Sequence, residues 1–153
     1  MALIEWDEGK HLVGVEEMDH IHQGFTLIVN RLGETLDPSI FKSLFIQLLE
    51  HTQEHFSTEE KLMEESGFHG CEEHRHEHAR VLKQMSYINE KVQTGKIAFG
   101  RAFVEDLPRW FDVHAVMMDN ALATYLKETG FEIALGDTAT DIIADSPPAP
   151  TAL

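Results

Sequence analysis

The chain has one cysteine, Cys71, so no disulfide can form within it. Basic residues are also scarce: 12 Lys and Arg against 27 Asp and Glu give a formal net charge of −15. That balance lacks the clustered positive charge with which proteins bind nucleic acid or anionic membrane, so neither is expected as a partner. No apolar run approaches the roughly 20 residues needed to span a bilayer. The first eight residues, Met1-Ala2-Leu3-Ile4-Glu5-Trp6-Asp7-Glu8, are acidic where a secretory signal would be basic and then apolar. One cysteine and no signal point to a reducing compartment, and a cytoplasmic protein is expected. Only Pro38 and Pro108 precede the last stretch, which holds the other three prolines. Two-residue alternation is missing as well, which removes the main reason to expect strands.

What remains is helical. At 153 residues, with 42% hydrophobic and 25% charged, the chain suits one domain with a sizeable core. After an N-terminal arm containing Trp6, Val13, Gly14 and Val15, apolar residues recur at spacings of three and four. The first pattern spans 19–35, with Asp19 as its cap and Ile21, Phe25, Ile28, Val29, Leu32 and Leu36 on its stripe. Asp37-Pro38 starts the second as cap and first helical residue, and Gly67 closes it. The third spans 71–93, ending at Gly95, and the fourth 98–128, ending at Gly130. Pro108 lies inside the fourth and should either start its regular part or kink it. Short connections between four such helices predict an all-α, antiparallel up-down four-helix bundle over residues 1–130. Residues 131–153 lack a periodic apolar face and read as a flexible C-terminal tail.

The informative anomaly is polar. His22, His55, Glu59, His74, His78 and His114 all fall in line with apolar residues of their own helices. His55 and Glu59, like His74 and His78, are four apart and so share a helix face. One histidine on an apolar face is usually a hydrogen-bonded core residue, and four-residue pairs arise easily among ten histidines. His51 and His55 make such a pair too, and spacing alone cannot dismiss His51. The conjunction across four helices is what chance does not supply. That many inward imidazoles need protons or metal ions to be buried together. Asp119 is harder to place. Five residues after His114, it lies about 140° away around a regular helix, so it reaches the cluster from the flank or through a π-bulge.

These pieces resemble the hemerythrin family, specifically its single-domain bacterial members. The likeness rests on Trp6, Val13-Gly14-Val15, Asp19-His20-Ile21-His22, His55-Phe56-Ser57-Thr58-Glu59-Glu60 with Met63, His74-Arg75-His76-Glu77-His78, and Trp110 with His114 and Asp119. The resemblance implies a non-haem site of two iron ions with an oxo or hydroxo bridge. In it His74, His78 and His114 would bind one ion, His22 and His55 the other, and Glu59 and Asp119 both. His11, His20, His51, His69 and His76 would be bystanders. Phe25, Phe56, Trp110, Phe111, Ala115 and Val116 are the candidate oxygen-pocket residues.

Two positions depart from the family pattern: Ile21 where glutamine is common, and Ala115 where a larger aliphatic side chain is usual. The smaller Ala115 side chain is expected to open a void or water path and so speed autoxidation. Five imidazoles against two carboxylates stabilise high oxidation states less than a carboxylate-rich set does. The ligand ratio therefore favours reversible dioxygen binding, for storage, delivery or sensing, in a protein that is not an enzyme. The alternative is a redox enzyme at the same site, acting on peroxide or NO or oxidising iron.

Overall fold

The computed structural model describes residues 2–131, and every regular element among them is helical. They are α1 (Glu8–His11), α2 (Glu16–Glu34), α3 (Pro38–Ser66), α4 (Cys71–Gln93), α5 (Ile97–Val113), a π-helical segment (His114–Asp119) and α6 (Asn120–Glu128). The last three run on as one rod, the fourth helix of the bundle. The connections 35–37, 67–70 and 94–96 are too short for anything but antiparallel neighbours. Each long helix packs on the next, and α5 closes the ring against α2. This is the four-helix bundle expected from the periodicity.

Local chemistry sets the ends. The Asp37 carboxylate accepts the Ser39 N–H at 2.8 Å, and Pro38 occupies the first helical position. Gly67 ends α3 with a φ of 70°, allowing the Phe68 N–H to reach back to the Met63 carbonyl. That turn buries Phe68 against Tyr125. Asp19 is not the cap it was expected to be. Helix α2 starts at Glu16, and Asp19 folds back to accept the Val13 and Gly14 N–H groups at 2.7 and 3.1 Å. Leu36 is 88% exposed rather than in the stripe, because α2 ends at Glu34 and stops turning it inward. Pro108 does not start a helix either: α5 begins at Ile97 and runs through it.

The arm is tied to the bundle at several points. Ile4 and Asn30 exchange two hydrogen bonds of 2.8 Å. Lys127 donates to the Val13 carbonyl at 2.9 Å, and His11 Nε2 lies 3.0 Å from Asp112. At the other end Phe131 packs on the core and its N–H donates to the Leu126 carbonyl at 3.1 Å, while residues 132–153, with most of the expected tail, lie outside the described residues.

The core comes in two blocks. One holds Phe25, Leu32, Phe41, Phe45, Phe56, Met85, Phe111 and Ala115, among others. The other holds Met18, Leu62, Met63, Phe68, Leu122 and Leu126. Along the helices, His22 falls between Met18 and Phe25, Glu59 between Phe56 and Leu62, and Asp119 between Ala115 and Leu122. A polar layer thus separates two apolar ones.

Candidate metal centre

The polar layer is buried throughout: His22, His55, Glu59, His74, His78, His114 and Asp119 are each at most 2% exposed. Helix α3 supplies His55 and Glu59 from consecutive turns, and α4 does the same with His74 and His78. The rod that follows solves the five-residue problem by changing pitch. His114–Asp119 is π-helical, and the Asn120 N–H bonds back five residues to the Ala115 carbonyl. The wider turn brings Asp119 round to the side that His114 faces. Of the two routes expected for Asp119, the π-bulge is the one the chain takes.

The carboxylate oxygens are divided. Asp119 Oδ2 lies 2.8 Å from His22 Nε2 and 3.8 Å from His55 Nε2, while its Oδ1 lies 2.9 Å from both His74 and His114. Glu59 splits the same way. Its Oε2 is 2.7 Å from His55 and 3.6 Å from His22, and its Oε1 is 3.1 Å from His78 and 3.3 Å from His74. Two ligand groups result, one of His74, His78 and His114 and one of His22 and His55, each sharing Glu59 and Asp119. Within each group the donor atoms lie within 4.8 Å of one another.

The profile of the Hemerythrin HHE cation binding domain matches residues 13–126, which take in all seven of these side chains. The chain belongs to the hemerythrin family. It is 32% identical over 130 residues to a bacteriohemerythrin of Ralstonia nicotianae, covering 85% of this chain and 93% of that protein. A bacteriohemerythrin of Aquifex aeolicus is 29% identical over 119 residues, covering 74% and 91% respectively. The crystal structure of a wild-type hemerythrin superposes with a TM-score of 0.77 at 21% identity, over 82% of this chain and 98% of that one. That last likeness speaks for the fold.

The donor set of this hemerythrin domain fits metal ions better than it fits itself. Glu59 Oε1, Asp119 Oδ1 and the Nε2 atoms of His74, His78 and His114 are buried and crowd together, yet none makes a hydrogen bond among the described residues. Short approaches without hydrogen-bond direction are what ligands to a common ion show. Protons make the alternative filling. Burial pulls the histidines down, but Asp119 and Glu59 outweigh it and raise His22 and His74 to about 9 and His114 to about 10. Burial likewise pushes Glu59 and Asp119 up, and the imidazoles around them win, holding both well below the usual carboxylate range. Metal and protons therefore compete for one set of atoms.

The expected bystanders divide into two kinds. His20, His69 and His76 are exposed. His51 sits outside both ligand groups, its Nε2 donating to the Ile21 carbonyl at 3.0 Å, and burial pushes it down to about 4. His11 is more than a bystander in packing, being 2% exposed between Trp6 and Phe111. Sequence reasoning missed its role because its partner Asp112 is 101 residues away and no spacing rule links them.

Of the expected pocket residues, Phe56, Trp110 and Phe111 have their rings against histidines of the layer. Phe56 stacks on His78 with centroids 3.8 Å apart, and Trp110 stacks on His114 at 4.7 Å. Phe111 meets His22 edge-on at 5.6 Å and stacks with Phe25 at 5.1 Å. Ala115 is fully buried, and the Val116 side chain lies outside the described residues. Among the described residues no helix is long and apolar enough to cross a membrane.

Proposed function

We propose that this hemerythrin-family chain binds dioxygen reversibly at a di-iron centre. His74, His78 and His114 would hold one ion and His22 and His55 the other, with Glu59 and Asp119 available to both. The observation that carries this reading is the division of both carboxylates, each turning one oxygen to each histidine group. Two ferrous ions, if held there, would supply the two electrons on which dioxygen binding draws.

The chain's own residues set the rest. With three imidazoles on one side and two on the other, an ion held by His22 and His55 would have one protein ligand fewer, leaving room for a small molecule. Phe25, Phe56 and Phe111, all buried, form a wall that keeps water from the layer. Imidazole suits ferrous iron, and a set with few carboxylates favours holding oxygen over breaking it. The physiological use is storage, delivery or sensing of dioxygen.

The test is anaerobic iron loading followed by absorption spectra before and after admitting oxygen. A charge-transfer band that appears with oxygen and disappears under vacuum supports the reading. Multiple turnovers with a reductant and peroxide or NO replace it with a redox enzyme. A chain that takes up no pair of irons overturns it.

A further inference from the structure

We propose that Glu60, next to the bridging Glu59, is a positioning residue that makes the two metal positions unequal by strengthening His78 as a ligand. The proposal rests on the di-iron reading above. All five imidazoles turn Nε2 toward the shared carboxylates, which leaves five Nδ1 atoms facing away. The Nδ1 atoms of His22, His55, His74 and His114 are buried without a hydrogen-bond partner among the described residues. His78 differs: its Nδ1 lies 3.0 Å from Glu60 Oε2.

The contact is restrained from both sides. Phe56 lies parallel to the His78 ring, at 3.8 Å and 5°, so the ring cannot tilt out of its plane without a clash. Glu60 is partly exposed, and its other oxygen sits 3.6 Å from Arg75 Nε, while the Arg75 head group is 3.3 Å from Glu64. Neighbouring residues on a helix point about 100° apart. Glu59 therefore enters the layer while Glu60 reaches across its flank to α4. Two adjacent glutamates do two different jobs.

A carboxylate accepting the Nδ1 proton fixes the tautomer and leaves the Nε2 lone pair for the metal. It also pushes electron density through the ring, which makes Nε2 the better donor. A better donor favours the more highly charged ion. The position built from His74, His78 and His114 thus prefers ferric iron more than the position built from His22 and His55 does. The second position, with no such support, stays the more easily reduced and the freer to exchange a ligand.

The test compares wild type, Glu60→Gln, Glu60→Leu and, as an exposed control, Glu90→Gln. The metal-free chain is titrated with Co(II), and the iron-loaded chain is followed by spectroelectrochemistry. Glutamine keeps an acceptor without the charge; leucine keeps neither. One of the two cobalt steps is expected to weaken by about 10–100-fold in Glu60→Leu and by less in Glu60→Gln, with the other step unchanged. The midpoint potential should rise in the same order, each tenfold loss in relative ferric affinity being about 59 mV for a one-electron couple. A packing role alone would move the melting temperature and leave the potential in place. Unchanged potentials and cobalt steps in both variants, or equal weakening of both steps, overturn the proposal. If Glu60→Leu does not fold, the isosteric Glu60→Gln carries the test alone. A wild-type chain that binds no pair of ions overturns the di-iron reading and this proposal with it. A two-ion wild type with unaffected variants overturns this proposal only.

Discussion

Helices α3 and α4 each deliver two ligands by spacing them four apart, whereas the rod after them delivers His114 and Asp119 five apart by winding wider for six residues. The first device costs nothing in backbone geometry, since the ordinary helix already stacks those positions. The second gives up regular hydrogen bonding for one turn to present a carboxylate that both histidine groups share. A bundle can therefore place a ligand where its regular repeat does not, provided the local pitch is adjustable. Both devices end in the same layer, and the contrast between them can be tested.

The largest effect is expected from removing the ligand that the π segment delivers. Asp119→Ala should reduce bound metal from two ions per chain to one or none, as should Glu59→Ala, measured by elemental analysis after loading and desalting. Two ions retained in Asp119→Ala would show that the wide turn contributes nothing to binding.

Protons give the next test. His22, His74 and His114 are ordinarily near 6.5 and are raised to about 9, 9 and 10 by the buried carboxylates. Their stabilisation of the metal-free chain is complete below about pH 6.5 and is lost as pH climbs through 9 to 10. Glu59 and Asp119, held low, contribute above the ordinary carboxylate range and lose that contribution only in acid. The melting temperature of the metal-free chain should thus fall between about pH 6.5 and 10 more steeply than that of the loaded chain. Parallel curves would contradict this account.

Ala115 lies within the π segment and is completely buried. Ala115→Ile should fill the space beside the layer and so slow autoxidation of the iron-loaded chain. Equal autoxidation rates would remove Ala115 as a determinant of access. The smallest effect is expected from deleting Met117, which is 67% exposed in the same segment. Deletion brings His114 and Asp119 to the four-residue spacing used by the other pairs. Two-ion binding should survive, with a slightly higher melting temperature for the metal-free chain. Loss of both ions would mean that the wide turn fixes the carboxylate's depth as well as its direction.

The same contrast explains what was legible in the sequence. His55, Glu59, His74 and His78 follow from regular spacing, and His22 from the stripe it shares with Phe25, Val29 and Leu32. Asp119 did not follow, because a π turn leaves no mark on apolar periodicity; the family resemblance and one of two geometric options pointed to it. Helix ends read well where their signals were side chains with fixed jobs, as at Asp37-Pro38 and Gly67. They read poorly where one residue had two uses, as at Asp19, whose carboxylate serves the arm instead of the helix. The pairing of His11 with Asp112 was invisible for another reason: contacts across 101 residues have no local signature.

A chain with one cysteine has no covalent way to tie its distant segments together. The shared carboxylate does that work: His22 and Asp119 meet at 2.8 Å across 97 residues. A disulfide closing a loop of about 100 residues removes roughly 4.7 kcal/mol of disorder from the unfolded chain. Ions held between these side chains would clamp the same loop, and would release it on chelation without a redox partner for any thiol.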